Sequence, residues 1–129
     1  MTTQEERVRQ SFSRQAFMST LGAELTEVVQ GGVEIRLPFS PSFTQQNGYL
    51  HAGAITAVLD SACGYAALTV AADDKGVLTV EFKVNLLAPA SGEVFAARAQ
   101  VKKAGRTLTV LLQTNPDGTS GVGYCSTRR

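Results

Sequence analysis

From Ala52 to Ala72 the chain is largely apolar and carries one charged residue, Asp60. The flanking segments show shorter, more regular patterns. Val8, Phe12, Phe17 and Leu21 recur at helical spacing, and Thr3 followed by Glu6 matches a capping box, so a first helix is expected over about residues 4–21. After Gly22 the period drops to two. Val33, Ile35 and Leu37 alternate with Glu34 and Arg36 as in a half-buried strand, and Gly31-Gly32 marks a hairpin whose other arm is "AELTEVVQ". Pro38 and Pro41 open an irregular stretch that runs to Leu50. Residues 52–72 then read as a helix about 31 Å long, apolar almost all round, which other structure must wrap on several sides.

Beyond it the pattern is that of strands. Leu78, Val80, Phe82, Val84 and Leu86 alternate with Thr79, Glu81, Lys83 and Asn85. Pro89 to Gly92 turns the chain; "EVFAARAQVKK" and "RTLTVLLQT" are joined at Ala104-Gly105; "NPDG" turns again before a last strand over about Thr119–Thr127. Helix, two strands, long helix, four strands, with short turns that favour antiparallel neighbours, predict an α+β domain in which a curved sheet encloses the second helix. Neither repeat nor linker divides residues 1–129, and this length suits one domain.

Composition narrows the function. Twelve basic residues against 11 acidic ones, a net charge of +1, provide no broad footprint for nucleic acid or an anionic membrane. A small-molecule or protein partner is expected. Cys63 and Cys125 fit neither a zinc spacing nor a disulfide framework, and both read as reduced and structural. The run around Asp60 is rich in alanine and glycine, and a central carboxylate is costly in lipid, so a membrane span is disfavoured. The charged N-terminus occupies the place of a signal peptide's apolar region, which points to a cytoplasmic location.

Asp60 is the first candidate for chemistry. An ionised carboxylate in an apolar run needs a partner, a raised pKa or a wet cavity, and no basic residue lies within four positions of it. Either the helix reaches solvent or a distant arginine there, or the carboxylate is held in a cleft for reaction. His51, the one histidine, precedes the helix, where free N–H groups and the positive end of the dipole gather. It either binds a ligand or merely orders the loop through backbone contact. Ala52 and Gly53 leave those donors open. From Ala52 to Asp60 an α-helix rises about 12 Å, too far for one copy to place both ends on one carbonyl. Two antiparallel copies could.

"NGYLHAGAITAVLDSACGYAAL", "VLTVEFKVNLLAPASGE" and "GRTLTVLLQTNPDG" together resemble the hot-dog-fold acyl-CoA thioesterases, in particular the branch of the phenylacetate-degradation thioesterase. The resemblance covers about Leu21 to Thr127. It implies a curved antiparallel sheet around a long helix, homodimers often assembling into homotetramers, sites shared across the dimer, and no cofactor beyond the coenzyme A of the substrate. Asp60 would be general base or nucleophile, and the Ala52 or Gly53 N–H of the other subunit would polarise the thioester carbonyl. His51 would support the helix start. Gln45 falls where an amide helps place water or carbonyl, Thr79 near a water-orienting hydroxyl, and Asn47 is a further site candidate beside its turn role. Leu59, Tyr65 and Phe82 could wall the acyl pocket, while Lys102, Lys103 and Arg106 could meet the phosphates or simply form a solvated hairpin tip.

Two departures stand out: His-Ala-Gly replaces the usual His-Gly-Gly, and Gly64 stands where some members carry a hydroxyl. The alternatives are a non-catalytic acyl-CoA-binding or sensing protein on the same fold, and a hot-dog dehydratase.

Overall fold

The computed structural model describes residues 2–86, 89–103, 107–112 and 121–128, with side chains for 2–79, 81, 83–84 and 89–102. Helix α1 (Thr3–Ser13) starts at Thr2, whose hydroxyl accepts the Glu5 N–H at 3.1 Å. The repeated Thr-Thr and Glu-Glu pairs fit a capping box in two registers, and the fold uses the earlier one. The expected single helix is two. Chain direction breaks at Arg14 and Gln15, and α2 (Ala16–Leu21) follows. The break resets the helical phase: Met18 and Leu21 are buried, whereas Phe17, expected in the apolar stripe, is 55% exposed. Gly22 closes α2 in the left-handed region, φ 71°, while the Ala23 N–H donates back to the Met18 carbonyl at 3.0 Å.

Strands β1 (Glu24–Val29) and β2 (Gly32–Pro38) form the expected hairpin, with a bulge between Leu25 and Glu27. A short 3-10 turn, Pro41–Phe43, leads to helix α3 (Ala52–Leu68). At 17 residues it spans about 25 Å and stops four residues before the expected end. Thr69 accounts for this: its hydroxyl donates to the Ala66 carbonyl at 2.6 Å and accepts the Gly31 N–H at 2.8 Å, tying the helix end to the β1–β2 turn.

Strands β3 (Leu78–Leu86), β4 (Val94–Lys103), β5 (Thr107–Leu112) and β6 (Gly121–Arg128) complete one antiparallel sheet in the order β1-β2-β4-β5-β6-β3. The connection after α3 thus carries β3 to the edge opposite β1. Helix α3 packs against β2, β3, β4, β5 and β6, as its nearly all-round apolar surface demands. In-register pairs Val33–Ala99, Ile35–Ala97 and Leu37–Phe95 face it, and Ala62, Cys63 and Ala66 are fully buried on its side. Ala97 and Ala99 on the sheet and Ala62, Cys63 and Ala66 on the helix are small and let the two surfaces approach closely. The α+β architecture is that of a hot-dog fold.

Two expectations change. Leu78 is 77% exposed rather than inward, because a bulge between Thr79 and Glu81 shifts the register of β3 on β6. Leu59, expected as a pocket wall, is 4% exposed and packs in the core. The side chains of Phe82 and Cys125, the Ala104-Gly105 turn and the "NPDG" turn lie outside the described residues. Among the described residues, no helix is long and apolar enough to cross a membrane.

Candidate active site

The loop before α3 is held at several points. The His51 N–H donates to the Phe43 carbonyl at 2.8 Å, the Leu50 N–H to the Ala90 carbonyl at 3.2 Å, and Leu50 itself is buried. Between them the chain turns tightly: Gly48 adopts φ 85°, its N–H donates to the Gln45 carbonyl at 3.0 Å, and Gln45 Oε1 accepts the Asn47 N–H. The amide oxygen of Gln45 is therefore engaged in its own turn.

His51 is the N-cap of α3. Its extended backbone, φ −62° and ψ 137°, places Nδ1 to accept the Gly53 N–H at 2.7 Å. An accepting Nδ1 requires the proton of the neutral ring to sit on Nε2. The plainer reading of His51, a loop-ordering contact with backbone, thus has a definite geometry. It also distinguishes the two N–H groups at the helix start: the Gly53 N–H is occupied, whereas the Ala52 N–H meets no acceptor among the described residues. A methyl group on Gly53 would lie 2.9 Å from His51 Nδ1, so glycine there makes room for the cap. Ala52, His51, Gln45 and Asn47 line one open groove of about 600 Å³.

Asp60 lines another, of about 690 Å³, with Thr79, Gly64 and Tyr65. It is half-buried, and Oδ1 accepts the Thr79 hydroxyl at 2.7 Å. An open groove and a hydroxyl partner, with no arginine ion-paired to Asp60 among the described residues, resolve how the apolar run tolerates this carboxylate. A Cβ built at Gly64 would meet nothing of its own chain within 4 Å, so packing does not demand glycine there. In a helix interior glycine costs about 1 kcal/mol relative to alanine, and its effect here is to keep space open beside Asp60.

Residues absent from the sequence expectations hold this groove in shape. Gln15 donates through Nε2 to Tyr65 Oη at 2.9 Å and accepts the Ser61 hydroxyl at 2.8 Å, while the Ser11 hydroxyl donates to Tyr65 Oη at 3.3 Å. The Phe12 ring meets Tyr65 edge-on at 5.9 Å. Ser61 and Gly64 follow Asp60 by one and four positions, a signal that these residues border it; nothing local in the sequence points from Gln15 to Tyr65. Lys102 is exposed and lines neither groove. The Lys103 side chain and Arg106 lie outside the described residues.

One protomer thus offers a carboxylate with an aligned hydroxyl in one groove and a free backbone donor at a helix start in another. Residues 47–115 match the family model described as Thioesterase superfamily. The chain belongs to the thioesterase superfamily. A crystal structure of a thioesterase family protein from Silicibacter pomeroyi superposes with a TM-score of 0.86 at 42% identity, covering 97% of this chain and 96% of that one. The PaaI protein of the E. coli phenylacetic acid degradation operon superposes at 0.89 over 98% of this chain and 92% of its own, at 15% identity, a likeness of fold alone. A curated Saccharolobus solfataricus protein with a provisional esterase name is 32% identical over 91 residues, 70% of this chain. The match spans 64% of that relative's length. Within this superfamily member, both candidate site segments from Asn47 to Thr79 fall inside the matched region.

Proposed function

We propose that this protein hydrolyses an acyl-CoA thioester to a free acid and coenzyme A, in a site completed by two copies of the chain. The observation that carries the reading is Asp60 in an open groove with its carboxylate aligned by Thr79, in a member of the thioesterase superfamily. Asp60 either takes a proton from water or attacks the carbonyl itself, and Thr79 orients the carboxylate or the water. The Ala52 N–H of the second copy polarises the thioester oxygen, aided by the positive end of α3. The 12 Å helix rise between the two groups, and their separate grooves, favour such a homodimer over a one-chain site.

Thiol release from a panel of acyl- and aryl-CoA substrates tests the chemistry. Asp60→Asn is expected to cut turnover at least about a hundredfold with the fold intact. Ala52→Pro removes the N–H at a position where proline suits both the helix start and the extended backbone of His51. It should be nearly inactive too. Mixing the two inactive variants under conditions that exchange subunits should restore about a quarter of wild-type activity, because each mixed dimer regains one whole site. No restoration in proven mixed dimers would confine the site to one chain, and no thiol release by the wild type would remove the hydrolase reading.

A further inference from the structure

Helix α1 turns Arg7, Gln10, Ser11 and Arg14 into the groove that holds Asp60. Their spacing of three, four and seven positions is one helical face, while Val8 on another face is fully buried in the core. All four side chains can donate hydrogen bonds. Arg7 is fixed in place: its guanidinium donates to the carbonyls of Ala72, at 3.1 Å, and Lys75, clasping the segment that leads into Gly76 and Val77 on the opposite wall. Carbonyls are neutral, and among the described residues no carboxylate forms an ion pair with Arg7. Arg14 is exposed at the C-cap of α1, and its side chain has no hydrogen bond or ion pair among the described residues.

The next residue, Gln15, bonds to Ser61 and Tyr65 and so holds the end of α1 against α3. Tyr65 lies about 7.5 Å along the helix axis from Asp60. Among the described residues, the charged side chains lining the groove are two guanidiniums on the α1 wall and one carboxylate on α3. An anionic group entering it is drawn towards α1 and repelled by Asp60. A wall built for a plain alkyl chain would be apolar; this one is a row of donors.

We infer that the acyl group of the substrate ends in a carboxylate, which Arg14 binds directly while the fixed charge of Arg7 favours it from the same wall. The inference rests on the thioester-hydrolase reading and adds the substrate class. Bound this way, a short dicarboxylic acyl chain keeps its free carboxylate on α1 and brings its thioester carbonyl to Asp60. Arg14 is then a specificity-determining residue, since it distinguishes acyl groups by their far end.

The test compares the CoA thioester of a short dicarboxylic acid with that of its terminal methyl ester, in wild type, Arg14→Gln and Arg14→Lys. In the wild type kcat/KM should favour the carboxylate by about tenfold or more, mostly through KM. Arg14→Gln should bring that ratio near unity, and Arg14→Lys should recover part of it. The same pair built on pantetheine, which lacks the nucleotide phosphates, should keep the preference. A wild-type ratio near unity with brisk hydrolysis of the neutral ester overturns the inference and leaves the hydrolase reading standing. Equal slowing of both CoA substrates by Arg14→Gln, vanishing on pantetheine, also overturns it by placing Arg14 on the phosphates. If the wild type cleaves none of the thioesters, the underlying hydrolase reading fails instead.

Discussion

Glu34 and Asp60 are two carboxylates held in opposite ways. Glu34 projects from the sheet face away from α3, since its neighbours Val33 and Ile35 fill the core. It is 6% exposed, and its oxygens accept from Thr26 Oγ1 at 2.7 Å, Arg36 Nε at 2.8 Å and Arg98 Nε. Burial pushes its pKa up, but hydrogen bonds from Thr26, Arg98 and Arg36 and the charge of Arg98 outweigh this and hold it below the ordinary value. Asp60 instead sits half-buried at the edge of a groove, facing space a substrate could enter. A carboxylate saturated by partners ties strands together, while one held by a hydroxyl beside open volume keeps lone pairs for reaction.

Paired substitutions should separate the two roles. Asp60→Asn has the largest expected effect, a loss of at least about a hundredfold in turnover, equivalent to about 2.7 kcal/mol of transition-state stabilisation. Its unfolding free energy in urea should stay within about 1 kcal/mol of wild type, because the amide oxygen can still accept from Thr79. Glu34→Gln should do the reverse. It leaves two guanidiniums without their shared anion and should cost about 2 kcal/mol of stability, with kcat nearly unchanged in the folded fraction. A large loss of activity from Glu34→Gln without loss of stability would dissolve the contrast.

The pH dependence sharpens it further. Since the folded pKa of Glu34 lies below its unfolded value, its contribution is complete above the ordinary carboxylate pKa near 4.5 and is lost as pH falls through the folded value. The urea midpoint of the wild type should therefore drop more steeply below that pH than the midpoint of Glu34→Gln. Smallest is Thr79→Val, which removes the hydroxyl from Asp60 and should lower kcat/KM about tenfold, or about 1.4 kcal/mol, without a matching loss of stability. An unchanged rate would show that Asp60 needs no aligning hydroxyl.

Much of this architecture could be read from local pattern. The two-residue period of Val33, Ile35 and Leu37, the turn at Gly31 and the long apolar run each report a single element facing a single core, and each formed within a few residues of expectation. His51 and Asp60 stand out locally as candidates, whereas Gly64 and Thr79 become candidates only through the family resemblance. Legibility failed where long-range contacts outweighed local preference. Leu78 alternates correctly yet points outward at a bulge, and Leu59, one position before Asp60, faces the core.

By itself the sequence determined which residue types were available: one carboxylate in an apolar helix, a histidine and two small residues at its start, and an alternation able to wrap it. These follow from side-chain period and from the cost of burying charge, both local properties. Only the tertiary structure decided that Thr79, carried to the far edge of the sheet, bonds to Asp60, and that the Gly53 N–H is spent on His51 while the Ala52 N–H is not. It also interrupted the first helix at Arg14 and Gln15, where no proline or glycine stands, and set the Gln15 amide between Ser61 and Tyr65. The reason is physical: such contacts join residues distant in the chain, and their geometry exists only once the helices and sheet have packed.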